Sequence, residues 1–395
     1  LKPQAGTEYF VNFNVTTVEK EPLIPIGHEI ACDQFRLPIE SPKKAFKTSG
    51  PKLTVSTNGD NLSASSSKVN FVFNRKTGIV TSYKVDGTEY FSEGFGIQPN
   101  FWRAPTDNDY GNGMPKRLQV WKESSKNFNV TDATVTMDGN NAVVNVNYLL
   151  PAGNLYIVNY TIYPSGAVNV AARFTSTDMD AAQTEVSEAT RTATFTPGRD
   201  AARKEASKLN VPRIGVRFRL PASMNQVEYF GRGPAENYLD RNAGSMIGLY
   251  KSTAEELYFP YVRPQENGHH TDTRWVSLST GKKGLLIQAD NTIGFNALRN
   301  SIEDFDDEEA TGLPRQWSNF TPEQVANHDE AAAKSVLRRQ HHINDITPRD
   351  FVEVCVDLKQ QGVAGYDSWG SRPEPAYTLP ANREYNWGFT LIPLK

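Results

Sequence analysis

The sequence predicts an all-β chain, with two antiparallel sheets packed face to face. Three observations carry that reading. Most of the 395 residues fall into short segments that alternate apolar and polar positions. Enriched in β-branched and aromatic residues, they have the pattern of strands half buried in antiparallel sheets. Gly, Pro, Asn and Asp punctuate these segments at short intervals, as hairpin connections require. No strand–helix–strand alternation runs through the sequence, which argues against a parallel α/β fold or a TIM barrel.

Taken in order, residues 1–38 read as about three strands, Tyr9–Val18 the clearest, too few for a self-sufficient domain. Ile39 to Pro51, rich in Pro, Lys and Ser, reads as a linker. The expected division is therefore 1–42 and 43–395. Beyond it, strands are expected at Val69–Phe73, Val143–Leu149, Tyr156–Tyr163, Ala167–Phe174, Val216–Leu220, Trp275–Leu278, Leu285–Ala289 and Phe351–Leu358. Asp86-Gly87 and Asp138-Gly139 are hairpin turns. Helices are few. Ser252–Glu256 offers a capping box for one short turn, and Thr321 with Pro322 opens a longer helix reaching Arg339. Residues 176–210 and 306–338 are expected as surface excursions, and the acidic run Glu303–Glu309 as a solvated turn.

Composition narrows the partners. Lys and Arg number 42 against 45 Asp and Glu, a net charge of −3 with no basic block. Nucleic acid and anionic membranes are therefore not expected partners. No apolar run approaches the roughly 20 residues of a membrane helix. The chain opens on Leu1 without a signal-peptide pattern, and reads as a piece of a longer protein. Its two cysteines, Cys32 and Cys355, exclude a disulfide framework and a zinc knuckle. Both are expected as buried free thiols, and they carry no signal of compartment.

Two segments carry chemistry. Phe101-Trp-Arg-Ala-Pro-Thr-Asp-Asn-Asp109 and Gly362-Val-Ala-Gly-Tyr-Asp-Ser-Trp-Gly370 each set a Trp beside acidic or amide groups in a loop punctuated by Gly or Pro. An aromatic face takes the C–H side of a pyranose while neighbouring carboxylates and amides pair with its hydroxyls. Such residues belong on loops at the rim of a rigid scaffold. The competing reading of either motif alone is a core Trp next to an ordinary turn. Asp107-Asn-Asp-Tyr-Gly111 has a trace of a calcium loop but lacks the full ligand series and the closing bidentate Glu, so no metal is expected there.

From about residue 66 onward the landmarks line up. They are Pro99–Asp109, Pro212-Arg-Ile-Gly215, Tyr229-Phe-Gly-Arg-Gly-Pro-Ala-Glu-Asn-Tyr-Leu-Asp-Arg241, Pro260–Gly268, Phe295-Asn-Ala-Leu298 and Asp367-Ser-Trp369. In this order the chain resembles the C-terminal "small chain" module of family 2 glycoside hydrolases of β-galactosidase type. Gly27-His-Glu-Ile-Ala31 followed by Gln34 resembles the last strands of the immunoglobulin-like domain that precedes it. Two positions depart from the family: Ala364 stands where Gly is usual, and Tyr366 where an acid is usual.

The resemblance implies a large antiparallel supersandwich like that of galactose mutarotases, and a parent enzyme hydrolysing terminal β-D-galactosides with retention. Retention needs two carboxylates about 5 Å apart. In this family both are glutamates of a preceding barrel, the acid/base directly after an Asn, and this sequence holds no Asn-Glu dipeptide. No catalytic residue is therefore expected here, and magnesium or sodium would belong to the barrel. What the resemblance leaves to this chain is a wall and lid around the sugar. Trp369 would stack on the sugar or leaving group beside Asp367. Arg103, Asp107, Asn108 and Asp109 would sit on a mobile loop hinged at Gly111 and Gly113; alternatively, Arg103 pairs with an acid and Trp102 packs. Glu236, Asn237 and His270 could line a polar groove, with turn capping as the alternative for the first two. The implied partners are a galactoside or other carbohydrate, the N-terminal catalytic domains of the same polypeptide, and further copies of the chain.

Two other classes compete with that reading. One is a stand-alone aldose 1-epimerase or carbohydrate-binding module. Epimerisation needs a general acid and base, with His269 or His270 and Glu266 or Glu236 as candidates. The other is a purely structural oligomerisation module.

Overall fold

The structure, a computed structural model, describes residues 2–175, 209–306, 342–367 and 370–395. Its strands are β1 (Phe10–Thr16), β2 (Glu29–Arg36), β3 (Thr54–Asn58), β4 (Asn61–Ser65), β5 (Val69–Asn74), β6 (Ile79–Val85), β7 (Thr88–Glu89), β8 (Gln98–Asn100), β9 (Asn129–Asp138) and β10 (Asn141–Leu149). They continue with β11 (Leu155–Ile162), β12 (Val168–Thr175), β13 (Arg213–Pro221), β14 (Gln226–Gly233), β15 (Met246–Thr253), β16 (His270–Ser279), β17 (Gly284–Leu298), β18 (Phe351–Gln360) and β19 (Tyr385–Leu394). Among the described residues, four short α-helices accompany them: α1 (Asp107–Gly111), α2 (Met114–Arg117), α3 (Gln119–Ser124) and α4 (Ile302–Phe305).

Every pairing between these strands is antiparallel. A twelve-stranded curled sheet runs β15-β14-β16-β17-β19-β12-β11-β10-β9, with β18 also pairing to β17 and β13 lying between β18 and β8. A five-stranded sheet, β3 to β7 in order, packs against it, and β1–β2 form a separate ladder. The period-two pattern explains the packing. On β10, Ala142, Val144, Val146 and Tyr148 are buried while the intervening asparagines are only half-buried. On β5, Val69, Phe71 and Phe73 do the same. The inner faces interlock where the Phe71 and Phe73 rings lie 5.6 and 6.2 Å from that of Tyr160 on β11. Each such ring contributes about 1.5–3 kcal/mol by burial, so Phe71→Ala should cost about 3–5 kcal/mol.

The hairpin turn expected at Asp86-Gly87 forms there, whereas the one expected at Asp138-Gly139 is shifted by one residue: Asp138 still pairs with Asn141, and Gly139-Asn140 make the turn. Asp86 and Gly87 both take positive φ, 49° and 79°, between β6 and β7, the two-residue type I′ geometry that suits strand twist. Strand positions were more legible than strand ends: Val69–Phe73 is β5 short by one and Phe351–Leu358 is β18 short by two, but Leu285–Ala289 covers only a third of β17 and Trp275–Leu278 less than half of β16.

Several expectations need correction. Two strands, not three, occupy residues 10–36, and a bridge between Glu21 and Ile24 is what remains of the third. Cys355 is buried but Cys32 is exposed on β2. The capping box expected at Ser252–Glu256 is, by contrast, present: Thr253 and Glu256 exchange its hydrogen bonds and close one short turn. Glu303–Asp306 is no solvated turn: α4 lies there, with Asp304 and Asp306 buried and Glu303 paired to Arg217 on β13. The segment expected to be a mobile loop after Asp107 is instead three consecutive helices. The helix expected at Thr321–Arg339 and most of the two long insertions lie outside the described residues.

Residues 39–51 form no regular element but run along the body, with Thr48 accepting from the Ser165 amide at 3.1 Å. Gln34 on β2 exchanges two hydrogen bonds with the backbone of Ile247 on β15, at 2.9 and 2.8 Å. These ties fix the β1–β2 ladder against the large sheet.

Candidate functional site

The two aromatic–acidic motifs meet. The first opens α1 through a capping box: Thr106 Oγ1 accepts from the Asp109 amide at 3.2 Å, and the Asp109 carboxylate accepts from the Thr106 amide at 2.9 Å. The cap turns the Asp109 side chain inward. There it pairs at 3.0 Å with Arg103, which is itself fully buried. Burial raises the Asp109 pKa, against the opposing pull of Arg103. Arg103 and Asp109 therefore form a shielded pair, and Trp102 packs beside them with its indole N–H donating to Asp306 at 2.7 Å.

Asp107 and Asn108 face the other way. Asp107 is exposed and lies 3.5 Å from Arg263, whose guanidinium stacks 3.9 Å above the Tyr110 ring. Asn108 reaches the second motif. With its amide set to satisfy both partners, Nδ2 donates to the Asp367 carbonyl at 3.1 Å and Oδ1 accepts from the Gly365 amide at 3.3 Å. Farther along, Asn112 Nδ2 donates to the Ser371 carbonyl at 3.4 Å. The Gly370 backbone comes so close to α1 that an added Cβ would stand 2.5 Å from the Gly111 carbonyl carbon.

The second motif is folded upon itself and pinned from behind. Ser371 Oγ accepts from the Gly365 and Tyr366 amides at 3.3 and 3.1 Å, while Asp367 Oδ1 accepts from the Ser371 amide at 3.2 Å. Asp240 accepts from the amides of Val363 and Ala364, at 3.0 and 2.8 Å. Arg103 Nη2 donates to the Gly362 carbonyl at 3.3 Å. Asp367 and Tyr366 stand exposed at the outer edge. Trp369, the residue assigned by resemblance to stack on the sugar, lies outside the described residues, as does Ser368.

The groove residues separate. Asn237 is buried and spends its whole amide on structure: Nδ2 donates to the Arg232 and Ala235 carbonyls, and Oδ1 accepts from Thr271. His270 is buried between the carbonyls of Gly268 and Pro234, each 3.2 Å from a ring nitrogen, and burial lowers its pKa to about 4. The ring packs on Phe295 at 5.1 Å. Glu236 is half-buried, accepting from the Gly268 amide at 2.6 Å and from the Tyr261 hydroxyl. Burial raises its pKa against those two hydrogen bonds. Gly268 takes a positive φ, 70°.

Behind these loops lies a cluster that the sequence reading did not find. Arg213 on β13 donates to Asn296 on β17 at 2.6 Å and to Glu266 at 3.3 Å, and its Nε lies 3.1 Å from Asp357 on β18. His269 meets Asn296 at 2.9 Å, and Gln360 donates to Glu266 at 3.0 Å. Burial, with the Glu266 charge adding to it, lifts the Asp357 pKa to about 7 in spite of Arg213. Burial and the Arg213 charge hold His269 well below the usual imidazole range. The histidines and Glu266, the proton-transfer candidates of the epimerase alternative, thus sit in closed interior. The signal was present: Arg213, Arg217 and Arg219 share one face of β13, and Glu353 and Asp357 share one face of its partner β18.

Among the described residues, no three His, Cys, Asp or Glu are disposed to hold a metal ion. A separate cleft of about 860 Å³ lies between the N-terminal segment and the outer face of β14, β16 and β17, and involves neither motif.

Comparison with known proteins bears on this geometry. A family described as the beta-galactosidase small chain matches residues 65–391. The beta-galactosidase of Priestia megaterium is 31% identical over 371 residues, covering 93% of this chain and 30% of that protein. The beta-galactosidase small subunit of Latilactobacillus sakei is 27% identical, covering 81% of this chain and 92% of that one. The chain thus spans about a third of the full-length beta-galactosidases. Among solved structures, galactose 1-epimerase from Lactobacillus acidophilus superposes with a TM-score of 0.40 at 8% identity over 87% of this chain and 98% of that one. The chain, all-β and matched across most of its length, belongs to the beta-galactosidase small chain family.

Proposed function

We propose that this chain forms one wall of the sugar site of a family 2 β-galactosidase and performs none of the bond-breaking steps itself. The observation that carries this reading is the junction of the two motifs, where Asn108 ties the 107–113 segment to the 365–371 loop and leaves Asp107 and Asp367 in solvent. Exposed carboxylates beside an amide, on loops braced by a rigid sheet, suit sugar hydroxyls. Asp107, Asn108 and Asp367 are the residues we assign to substrate, with Trp369 as the stacking platform. Arg103 and Asp109 hold the wall from behind. The nucleophile and acid/base glutamates belong to a preceding barrel of the same polypeptide.

The test uses both forms of the protein. The complete polypeptide should hydrolyse o-nitrophenyl β-D-galactoside and release the β-anomer first, while the isolated chain should be inert. In the complete polypeptide, Trp369→Ala and Asp367→Ala should each raise KM about tenfold, near 1.4 kcal/mol of binding, with little change in melting temperature. Cleavage by the isolated chain, or unchanged kinetics in both variants, would refute the assignment.

The same reading gives residues 1–42 a role. Val11, Phe13, Val15, Ile30 and Phe35 of the β1–β2 ladder are 36–64% exposed, and two strands do not make a stable sheet alone. We assign them to the end of an immunoglobulin-like sandwich whose other strands come from earlier in the polypeptide, with residues 43–395 forming the supersandwich domain. Further copies of the polypeptide are the proposed oligomer partners.

A further inference from the structure

The 362–371 loop carries one of the two acids assigned to the sugar, yet regular secondary structure holds little of it. What fixes its entry is a side chain from elsewhere in the chain. Asp240 lies beyond the C-terminal end of β14, 123 residues before Val363, and its two carboxylate oxygens take the consecutive amides of Val363 (3.0 Å) and Ala364 (2.8 Å). A carboxylate receiving two adjacent backbone N–H groups sets the direction of the peptide planes on both sides. The fit is close. A Cβ on Gly362 would lie 2.3 Å from Asp240 Oδ2, so the carboxylate occupies the space a side chain there would need. Immediately after the clamp the backbone enters an unusual state, Ala364 at φ 56° and Gly365 at φ 101°. Non-glycine residues hold such angles only where their surroundings over-determine them. Arg103 Nη2 on the Gly362 carbonyl and Asn108 at Gly365 and Asp367 supply the remaining ties.

We propose that Asp240 is a positioning residue for the substrate wall: by clamping the 363–364 amides it sets where Asp367 stands relative to Asp107 and Asn108. The inference rests on the proposed function, but it makes a distinct claim. Asp240 touches no substrate and acts through the loop.

Three measurements on the complete polypeptide test it, with o-nitrophenyl β-D-galactoside as the probe. Asp240→Ala should raise KM at least fivefold, with a smaller change in kcat. The Val363 and Ala364 amides, protected from hydrogen exchange in the parent, should exchange at least tenfold faster in the variant while strand β18 keeps its protection. Asp240→Ala combined with Asp367→Ala should raise KM no more than Asp367→Ala alone, because both changes remove the same contact. Multiplying KM effects in the double variant, or unaltered exchange at 363 and 364, overturns the proposal. A variant that loses protection throughout β18 has unfolded; Asp240→Asn, which keeps one acceptor oxygen, then decides, and it must show an intermediate KM. If the parent polypeptide does not cleave the probe at all, the proposed function fails while the exchange result still reports on the clamp.

Discussion

Polar side chains gather in two regions of this molecule, and the regions differ in what surrounds them. Around Arg213, the groups of Glu266, His269, Asn296 and Asp357 are each no more than 6% exposed and are spent on one another. At the junction of α1 with the 362–371 loop, backbone amides do the holding, and Asp107 and Asp367 stand in solvent. The first region has the composition of an active site: an arginine, two acids and a histidine. What it lacks is access. Density of titratable groups marks a site only when a ligand can reach it, and here the richer cluster braces β13, β17 and β18 behind the plainer rim.

If that contrast is right, breaking the buried cluster should be the most damaging change. Arg213→Met keeps the volume but leaves Glu266 buried without its counter-charge, a situation that costs about 3–5 kcal/mol. Urea unfolding of the full chain measures it. A loss under about 1 kcal/mol would mean that the cluster tolerates opening and that the contrast between the regions is overdrawn.

The same cluster makes a prediction about pH. The Asp357 pKa in the folded state, about 7, lies above its ordinary value of 3.8. Folding therefore favours the protonated form, and the contribution is complete below the unfolded value and lost as pH rises through about 7. Asp357→Asn keeps a neutral group of the same shape and removes this dependence. The stability of the parent relative to Asp357→Asn should accordingly fall between about pH 4 and about pH 7. A relative gain over that interval would place the ionised carboxylate, held by Arg213, as the form that folding prefers.

The two regions were also unequally legible in the sequence. The rim announced itself, because Trp, acids, Gly and Pro crowd into two short segments, and the motifs meet. Arg103 and Asp109 follow the alternative reading, an arginine paired with an acid beside a packed Trp102, and the signal for an inward cap was there: Thr106 followed three residues later by an acid is a helix start. Period two found the strands because one buried face suffices to reveal them. It could not find the Arg213–Asp357 pair, whose partners lie 144 positions apart and meet only when β13 and β18 align. Asn237 and His270 look like groove residues in sequence, but Asn237 spends its amide on the Arg232 and Ala235 carbonyls just before it and on Thr271, and His270 is enclosed by the Gly268 and Pro234 carbonyls.

The smallest expected effect sharpens the rim side of the comparison. Ala364 takes a φ of 56°, the left-handed conformation in which a Cβ crowds the next carbonyl. Ala364→Gly removes that crowding, at about 1–2 kcal/mol, but gives the unfolded chain more freedom, which returns about 0.4–1 kcal/mol. The net gain should be about 0.5–1 kcal/mol in unfolding free energy, seen as a small rise in urea midpoint at constant slope. The amides at 363 and 364 should stay as protected as before, because Asp240 and not the alanine holds them. If the variant is instead less stable, the alanine methyl packs against something worth more than the strain, and the loop is braced by apolar contact as well as by the carboxylate.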